Sequence, residues 1–223
     1  MIPKKIHYIW LGAEIPDKVI FLLEKNVKFC EGYEIKLWRE NDFPELAPFA
    51  SRAYKDKKWA FVSDYLRFKI LRDEGGVYLD TDMELLRPLD ALIDVKCFVG
   101  LNKSRDFIYC GVIGAVPHLD FFEKIIEEYD NLRPGEYPTS PEVMTRIYNY
   151  YKFDYVNIHP YDFFYPLDEG EIQTKNKIIN SYAIHHWHES WRSYVLLRKI
   201  LRRTGIIKLY HSLFKRNNGA TGN

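Results

Sequence analysis

A helix, a pair of glycines, a short apolar strand and two aspartates follow one another within residues 59–82. This order constrains the fold more than any other feature of the chain. Residues 59–74 carry apolar side chains at helical spacing, and the glycines at 75 and 76 end the predicted helix. Residues 77–79 then predict a buried strand, after which Asp80 and Asp82 stand two residues apart. Because open α/β sheets bind ligands beyond the carboxyl ends of their strands, both carboxylates are expected on one rim.

Asp80 and Asp82 are suitable ligands for a divalent cation. Mg²⁺ and Mn²⁺ choose carboxylate oxygen and fill their remaining positions with water and substrate phosphate. An Asp-x-Asp pair alone also marks many polar turns, so the flanking residues matter. Asp64 and Arg67 stand on one face of the predicted helix, where they form either a surface ion pair or a joint grip on a polar ligand.

Three segments carry a family resemblance through their order and spacing. They are residues 2–12 (IPKKIHYIWLG), residues 63–82 with SDYLR and GGVYLDTD at their ends, and residues 183–191 (AIHHWHESW). Together they resemble glycosyltransferase family 32, which includes bacterial capsule and lipopolysaccharide sugar transferases and yeast mannosyltransferases, and they are similar to the glucosylating clostridial toxins. The resemblance implies an α/β GT-A fold over residues 1–191, with a Rossmann-like, mostly parallel sheet flanked by helices.

The resemblance also implies roles for single residues. Asp82 is expected to bind the metal directly, and Asp80 to contact the ribose or donor sugar and reach the metal through water. Asp64 and Arg67 match the residues that hold the donor, and Arg67 is suited to offset charge on the leaving diphosphate. Asp80, Arg67 and Asp64 are therefore the predicted catalytic residues. Trp10 is expected to stack on the nucleobase, the alternative being a core tryptophan.

Residues 183–191 are expected to complete the site. Side chains alternate along a strand, so only one of His185 and His186 can face the metal. His185 is the predicted ligand, since imidazole suits Mn²⁺ and relatives place a histidine there. Trp187 and Trp191 are expected either to close the site over the donor or to pack in the core. The stretch 109–114 lacks the asparagine that relatives often carry.

Local patterns predict the remaining elements. Ser140 is the predicted N-cap of a helix over residues 141–151. The predicted strands are 6–11, 33–38, 97–101, 108–116 and 181–187, and the other predicted helices are 17–30, 50–57 and 119–129. The three cysteines show no CxxC spacing, and no signal peptide or long apolar run is recognisable. A bacterial cytoplasmic enzyme is expected.

The expected function is a retaining, metal-dependent transfer of a sugar from a nucleotide-sugar donor, with a UDP-sugar expected and Mn²⁺ or Mg²⁺ as cofactor. The expected acceptor is a saccharide or lipid-linked saccharide of bacterial capsule, lipopolysaccharide or exopolysaccharide synthesis, and no nucleic acid is an expected partner. Two alternatives stay open. One is a non-catalytic nucleotide-sugar-binding module. The other is a haloacid dehalogenase-type phosphatase, although its later acidic pair is not found in the sequence.

Charge is segregated toward the C-terminus. Residues 190–223 contain eight Lys and Arg and no Asp or Glu. Residues 192–223 are a predicted basic amphipathic helical tail, with Leu197 and Ile200 on one arc and Arg198 and Arg202 on the other. Such a tail is expected either to lie on an anionic membrane, at the inner face of the plasma membrane, or to pack on the domain.

Overall fold

The computed structural model describes residues 1–187, and Met1–His186 form one compact unit. Trp191 and the predicted tail over 192–223 lie outside the described residues. In chain order the elements are β1 (Lys5–Ile9), α1 (Asp17–Val27), β2 (Glu34–Trp38), α2 (Pro48–Lys55), α3 (Trp59–Glu74), β3 (Gly76–Leu79), β4 (Met83–Leu85), β5 (Cys97–Leu101), β6 (Ile108–Ala115), α4 (Asp120–Asp130), α5 (Ser140–Tyr151), β7 (Val156–His159), α6 (Lys175–Ile178) and β8 (Ala183–His185).

The main sheet has six strands in the order β2-β1-β3-β6-β5-β7. Strand β1 pairs in parallel with β2 and β3, and β7 pairs in parallel with β5. Strand β6 runs antiparallel to both of its neighbours, β3 and β5. The sheet is therefore mixed, with three parallel pairings among five, and β6 is the strand that departs from the parallel pattern. Strands β4 and β8 form a separate two-stranded sheet.

Two apolar cores cover the two faces of the main sheet. Strand β3 shows how the pleat divides them, because Tyr78 belongs to one core while Val77 and Leu79 belong to the other. Helices α2, α3, α4 and α5 contribute buried side chains to the first core. Leu23 of α1 packs against the second. The predicted α/β architecture with helices flanking the sheet is confirmed.

The glycine pair between α3 and β3 is required by close packing. Gly75 has φ 62° and Gly76 has φ 95°, in the region that side chains rarely adopt. A Cβ on Gly75 would lie 2.7 Å from the Pro117 ring, and a Cβ on Gly76 would lie 2.8 Å from the carbonyl oxygen of Lys5. The helix therefore ends where predicted, and β3 begins tightly against β1.

Several predicted bounds differ from the structure; the predicted helix over 17–30, for example, ends at Val27. The N-cap of α5 is Thr139, whose side chain and backbone form a capping box with Glu142, so the predicted cap at Ser140 is wrong. The late strand predicted over 181–187 is shorter, because β8 pairs with the three-residue strand β4. Within residues 1–187, no helix has the length and apolar character needed to cross a bilayer.

Candidate functional site

Several of the predicted site residues lie at one edge of the main sheet. Strands β1 and β3 are parallel and aligned at His7 and Tyr78, so Trp10 and Asp80 emerge at the same edge. Strand β6 reaches this edge from the opposite direction, and the backbone N–H of Asp80 donates to the carbonyl oxygen of Gly111 over 2.8 Å. A Cβ on Gly111 would lie 3.2 Å from Asp80 Oδ2, so a glycine suits this close approach.

The small sheet brings the histidine of β8 to the acidic pair. Met83 is aligned with His185 across β4 and β8, and His185 Nε2 lies 3.1 Å from Asp82 Oδ1. One ligand atom from each of Asp80, Asp82 and His185 can be chosen so that all three lie within 4.8 Å of one another. The structure thus brings together the three residues that the sequence nominated for a metal.

His186 points the other way, as strand alternation predicts. Its Nε2 lies 2.7 Å from Glu84 Oε2, and Glu84 also forms an ion pair with Lys25 of α1. The pKa of Glu84 falls to about 2, because the hydrogen bond from His186 and the pairing with Lys25 outweigh the effect of burial. The backbone N–H of His186 donates to the carbonyl oxygen of Asp82 over 3.0 Å. These contacts fix β8 against β4 while His185 faces the acidic pair.

The chemistry of the three side chains fits a divalent cation. Two carboxylates and one imidazole are a donor set that Mn²⁺ accepts, and three protein ligands leave positions for substrate oxygen. Burial lowers the pKa of His185, but the hydrogen bond with Asp82 and the charges of Asp82 and Asp80 raise it above its ordinary value. The same negative field that favours a proton on His185 favours a bound metal cation.

Arg67 is held by groups on several sides. Its Nη1 lies 3.3 Å from Asp80 Oδ1 and donates to the carbonyl oxygen of Cys110 over 2.9 Å. Its guanidinium carbon lies 4.7 Å from the ring centre of Tyr78. Burial lowers the pKa of Arg67, but the nearby Asp80, Tyr78 and Asp64 raise it well above its ordinary value. Arg67 is therefore a fixed cation beside the acidic pair.

Asp64 is buried behind Arg67 and is bonded through both oxygens. Oδ1 lies 2.7 Å from Arg67 Nη2 and accepts the Ser140 hydroxyl over 2.6 Å, while Oδ2 accepts the Ser140 backbone N–H over 3.1 Å. Of the two sequence alternatives, the surface ion pair is wrong, because both side chains are buried. Asp64 joins α3 to the start of α5 and orients the guanidinium.

Two site residues were missed by the sequence reasoning. Tyr78 donates its hydroxyl to Asp80 Oδ1 over 2.8 Å. Its position two residues before Asp80 on the same strand face was a usable signal. Tyr165 accepts the backbone N–H of Val112 over 2.9 Å and packs edge-on against His185, with ring centres 6.1 Å apart. Nothing near Tyr165 in the sequence marks it.

The three tryptophans differ in what the structure shows. Trp10 follows β1, is partly exposed and donates from Nε1 to the carbonyl oxygen of Ala13 over 3.0 Å. A fully buried core position is therefore wrong for Trp10. Trp187 is the last described residue, and Trp191 lies outside the described residues. Their role over the donor stays a prediction, as does the stacking of Trp10 on a base.

The chain is similar to named glycosyltransferases. It is 28% identical over 146 residues to mannosyl phosphorylinositol ceramide synthase CSH1 of Saccharomyces cerevisiae, an alignment that covers 61% of this chain and 38% of the relative. It is 30% identical over 141 residues to uncharacterized glycosyltransferase L373 of Acanthamoeba polyphaga mimivirus, covering 57% of this chain and 55% of the relative. The chain thus spans between about a third and about a half of these relatives' lengths.

The fold is also shared with solved glycosyltransferases. PaToxG glycosyltransferase superposes with a TM-score of 0.58 at 19% identity, over 68% of this chain and 70% of that structure. The expected GT-A fold is confirmed. Residues 14–99, which include Asp64, Arg67, Asp80 and Asp82, match the family described as the glycosyltransferase sugar-binding region containing the DXD motif. Over this stretch the chain is therefore similar to this family, in agreement with the resemblance to glycosyltransferase family 32.

Proposed function

We propose that this chain is a metal-dependent glycosyltransferase that moves a sugar from a nucleotide-sugar donor to a saccharide or lipid-linked saccharide acceptor. The observation that carries the proposal is the convergence of Asp80, Asp82 and His185 within 4.8 Å, beside the guanidinium of Arg67. Two carboxylates and an imidazole can bind a divalent cation. That cation and the guanidinium of Arg67 can together offset the negative charge of a donor diphosphate. The family and the fold support the same activity.

Asp82 and His185 would hold the cation directly, with Asp80 as a third ligand or through water. When bound, Mn²⁺ or Mg²⁺ supplies positive charge that stabilises the leaving diphosphate. Tyr78 and the Gly111 carbonyl fix Asp80 through its side chain and its backbone N–H, respectively. The site is therefore preorganised by the fold, which reduces the cost of binding the donor.

Arg67 supplies the second positive charge. A planar guanidinium can donate to phosphate and sugar oxygens at once, and its pairing with Asp64 holds it in one orientation. The leaving group is a diphosphate, so charge stabilisation reduces the need for a dedicated general acid. Asp64 is the positioning residue for Arg67, and Ser140 in turn positions Asp64.

We infer from the family resemblance that the anomeric configuration is retained. The favoured mechanism is front-side substitution. The bond between the anomeric carbon and the diphosphate oxygen breaks, a bond to the acceptor oxygen forms on the same face, and the acceptor proton passes to the leaving phosphate. Arg67 would keep the departing oxygen close to that face.

The relatives bear on the acceptor class. The yeast relative is named a mannosyl phosphorylinositol ceramide synthase, and ceramide is a lipid, which supports a lipid-linked acceptor for this chain. A role in bacterial capsule, lipopolysaccharide or exopolysaccharide synthesis stays a prediction. So does a peripheral contact of the tail with an anionic membrane.

The proposal is tested by incubating the full chain with a panel of nucleotide sugars and Mn²⁺, and measuring release of nucleoside diphosphate with and without a chelator. Release that requires the metal supports a glycosyltransferase. Metal-dependent nucleotide-sugar binding without turnover, even when saccharide acceptors are supplied, would favour the binding module. Release of inorganic phosphate from sugar phosphates would favour the phosphatase, which the GT-A fold already disfavours.

A further inference from the structure

A cavity of about 230 Å³ lies beside Leu11, just after Trp10. Most of its lining is apolar and comes from Leu11, Phe43, Leu46, Tyr54, Val62 and Leu66. Glu40 is the charged side chain among the described residues that line it. An apolar cavity with one well-placed polar group is typical of a site that accepts a flat ring and reads its edge.

The topology places this cavity at the same sheet edge as the metal-ligand cluster. Ile9 and Trp38 are aligned at the carboxyl ends of parallel strands β1 and β2, so Leu11 and Glu40 each follow two residues beyond that edge. Strand β3 is parallel to β1 and delivers Asp80 to it. A nucleotide that lies along this edge can therefore contact both the cavity and the metal-ligand cluster.

Helix α3 links the cavity to the phosphate end of the site. Val62 and Leu66 line the cavity, while Arg67, which projects from another face of the same helix, contacts Asp80. A nucleoside diphosphate whose phosphates lie at Arg67 would therefore reach the cavity along the sheet edge that the two places share. This step rests on the proposed function.

Glu40 is held in one orientation. The backbone N–H of Gly12 donates to Oε1, and Arg39 Nε lies 3.6 Å from Oε2. Gly12 itself has φ 88°, and a Cβ there would lie 2.5 Å from the indole of Trp59, so the loop after β1 is tightly packed. An ionised carboxylate has about four lone-pair sites, so Glu40 can accept further hydrogen bonds while it stays bound to Gly12.

The nucleobases differ in the hydrogen-bond donors that they present to a carboxylate, which can only accept. Guanine presents N1–H and the 2-amino group side by side, which is the pattern that two carboxylate oxygens accept. Uracil presents a single donor, N3–H, between two carbonyl oxygens. A carboxylate that approaches N3–H is repelled by these two oxygens. Adenine and cytosine each present an amino group next to a ring nitrogen that accepts. Guanine is therefore the best match among the four.

We propose that Glu40 reads the guanine edge and that the donor is a GDP-sugar. The assignment departs from the UDP-sugar expected from the sequence. That expectation rested on the family resemblance alone, whereas Glu40 is a feature of this chain.

Isothermal titration of the full chain with GDP and with UDP, each with Mn²⁺, tests the proposal. GDP is expected to bind about tenfold or more tightly than UDP, because charge-assisted hydrogen bonds to two donors are gained. In Glu40→Gln the amide both donates and accepts, which suits uracil and loses an acceptor for guanine. The GDP preference is expected to fall about tenfold or more in this variant.

Two controls separate base reading from folding. Glu45→Gln changes an exposed glutamate near the same loop that does not line the cavity, and it should leave the preference unchanged. Inosine diphosphate lacks the 2-amino group but keeps N1–H. The wild-type chain should bind it about tenfold more weakly than GDP, which tests the contact even if Glu40→Gln does not fold.

The outcomes distinguish this inference from the proposed function. Tighter binding of UDP than GDP, or equal binding of inosine diphosphate and GDP, would overturn the guanine assignment and leave a metal-dependent glycosyltransferase in place. A GDP preference that survives Glu40→Gln would overturn the role of Glu40. Failure of the chain to bind any nucleoside diphosphate with Mn²⁺ would overturn the proposed function itself.

Discussion

The guanidinium of Arg67 lies 3.3 Å from the carboxylate of Asp80, so helix α3 and the first aspartate of the DXD motif are joined by an ion pair. The Arg67 side chain is 6% exposed and that of Asp80 is 25% exposed. Asp80 therefore remains open toward a ligand while Arg67 lies behind it.

Arg67→Lys is expected to lose as much turnover as Arg67→Ala does. An ammonium group cannot bond Asp64, Asp80 and the Cys110 carbonyl in the planar arrangement of the guanidinium. Loss of one preorganised donor costs about 100-fold or more in turnover. Both variants should therefore show turnover reduced by about that factor, measured as nucleoside diphosphate release.

The matched control is Arg72→Lys, a change on the same helix at a residue paired with Asp73 near the surface. It should keep wild-type turnover. Full activity of Arg67→Lys would show that Arg67 serves as a simple positive charge without directional bonding.

Asp82→Ala is expected to abolish metal-dependent nucleotide binding and turnover while the protein stays folded. The cation would lose a carboxylate ligand, and Asp82 lies at the rim between two short strands, so the fold is expected to accommodate alanine there. Titration with Mn²⁺ and thermal unfolding are the two measurements. The comparison variant is Asp73→Ala, which removes a surface carboxylate of α3 and should leave metal binding intact. A folded Asp82→Ala protein with near wild-type turnover would contradict the metal assignment.

Local patterns predicted the part of the site that lies within one short stretch of chain. Helix α3, its glycine stop and the strand before Asp80 follow from periodicity and backbone geometry, which depend on neighbours in sequence. The Thr-x-x-Glu pattern of Thr139 and Glu142 also predicts the capping box that the structure shows. The Ser140 hydroxyl is therefore free of the capping role, and it donates to Asp64.

Contacts between distant segments could not be predicted from one sequence. The bond between Asp64 and Ser140 and the contact between Tyr165 and His185 arise only when the sheet is assembled. The antiparallel course of β6 is likewise a property of topology, since its residues read as an ordinary buried strand. The alternation of His185 and His186 was predictable because it needs the strand alone.

The two adjacent histidines provide an internal comparison. His185→Ala removes a proposed metal ligand and should raise the Mn²⁺ concentration needed for half-maximal activity. His186→Ala removes a contact with Glu84 on the other side of β8, so it should raise that concentration much less. The readout is the activation curve for Mn²⁺ in each variant. The reverse order of effects would show that His186 faces the metal when the donor is bound.

Removal of the Ser140 hydroxyl is expected to weaken the hold on Arg67. Ser140→Ala leaves Asp64 Oδ1 with Arg67 alone, and loss of a hydrogen bond to a buried charged group costs about 1.5–3 kcal/mol. The free energy of unfolding should fall by about that amount. The fold decrease in turnover should be larger than the fold increase in the KM for the donor. Denaturant titration and steady-state kinetics measure the two effects.

The control for Ser140→Ala lies on the same helix. Thr145→Val removes a hydroxyl that accepts the backbone N–H of Ile108, and it should destabilise the fold by a similar mechanism without disturbing Asp64. Equal loss of turnover in the two variants would show that the Ser140 effect is a general loss of stability.

The basic tail is expected to bind anionic membranes. Residues 190–223 hold eight basic and no acidic side chains, and each basic residue near an anionic surface contributes roughly 1 kcal/mol. The full chain should therefore sediment with anionic liposomes at low salt and be released as salt is raised, because ions screen the attraction. A full-length variant with Arg198, Lys199, Arg202 and Arg203 changed to Gln should bind far less, and truncation after residue 191 should abolish binding. Nucleotide-sugar hydrolysis should persist in both. Absence of liposome binding at low salt, or unfolding of the domain on truncation, would show that the tail serves the fold and not a membrane.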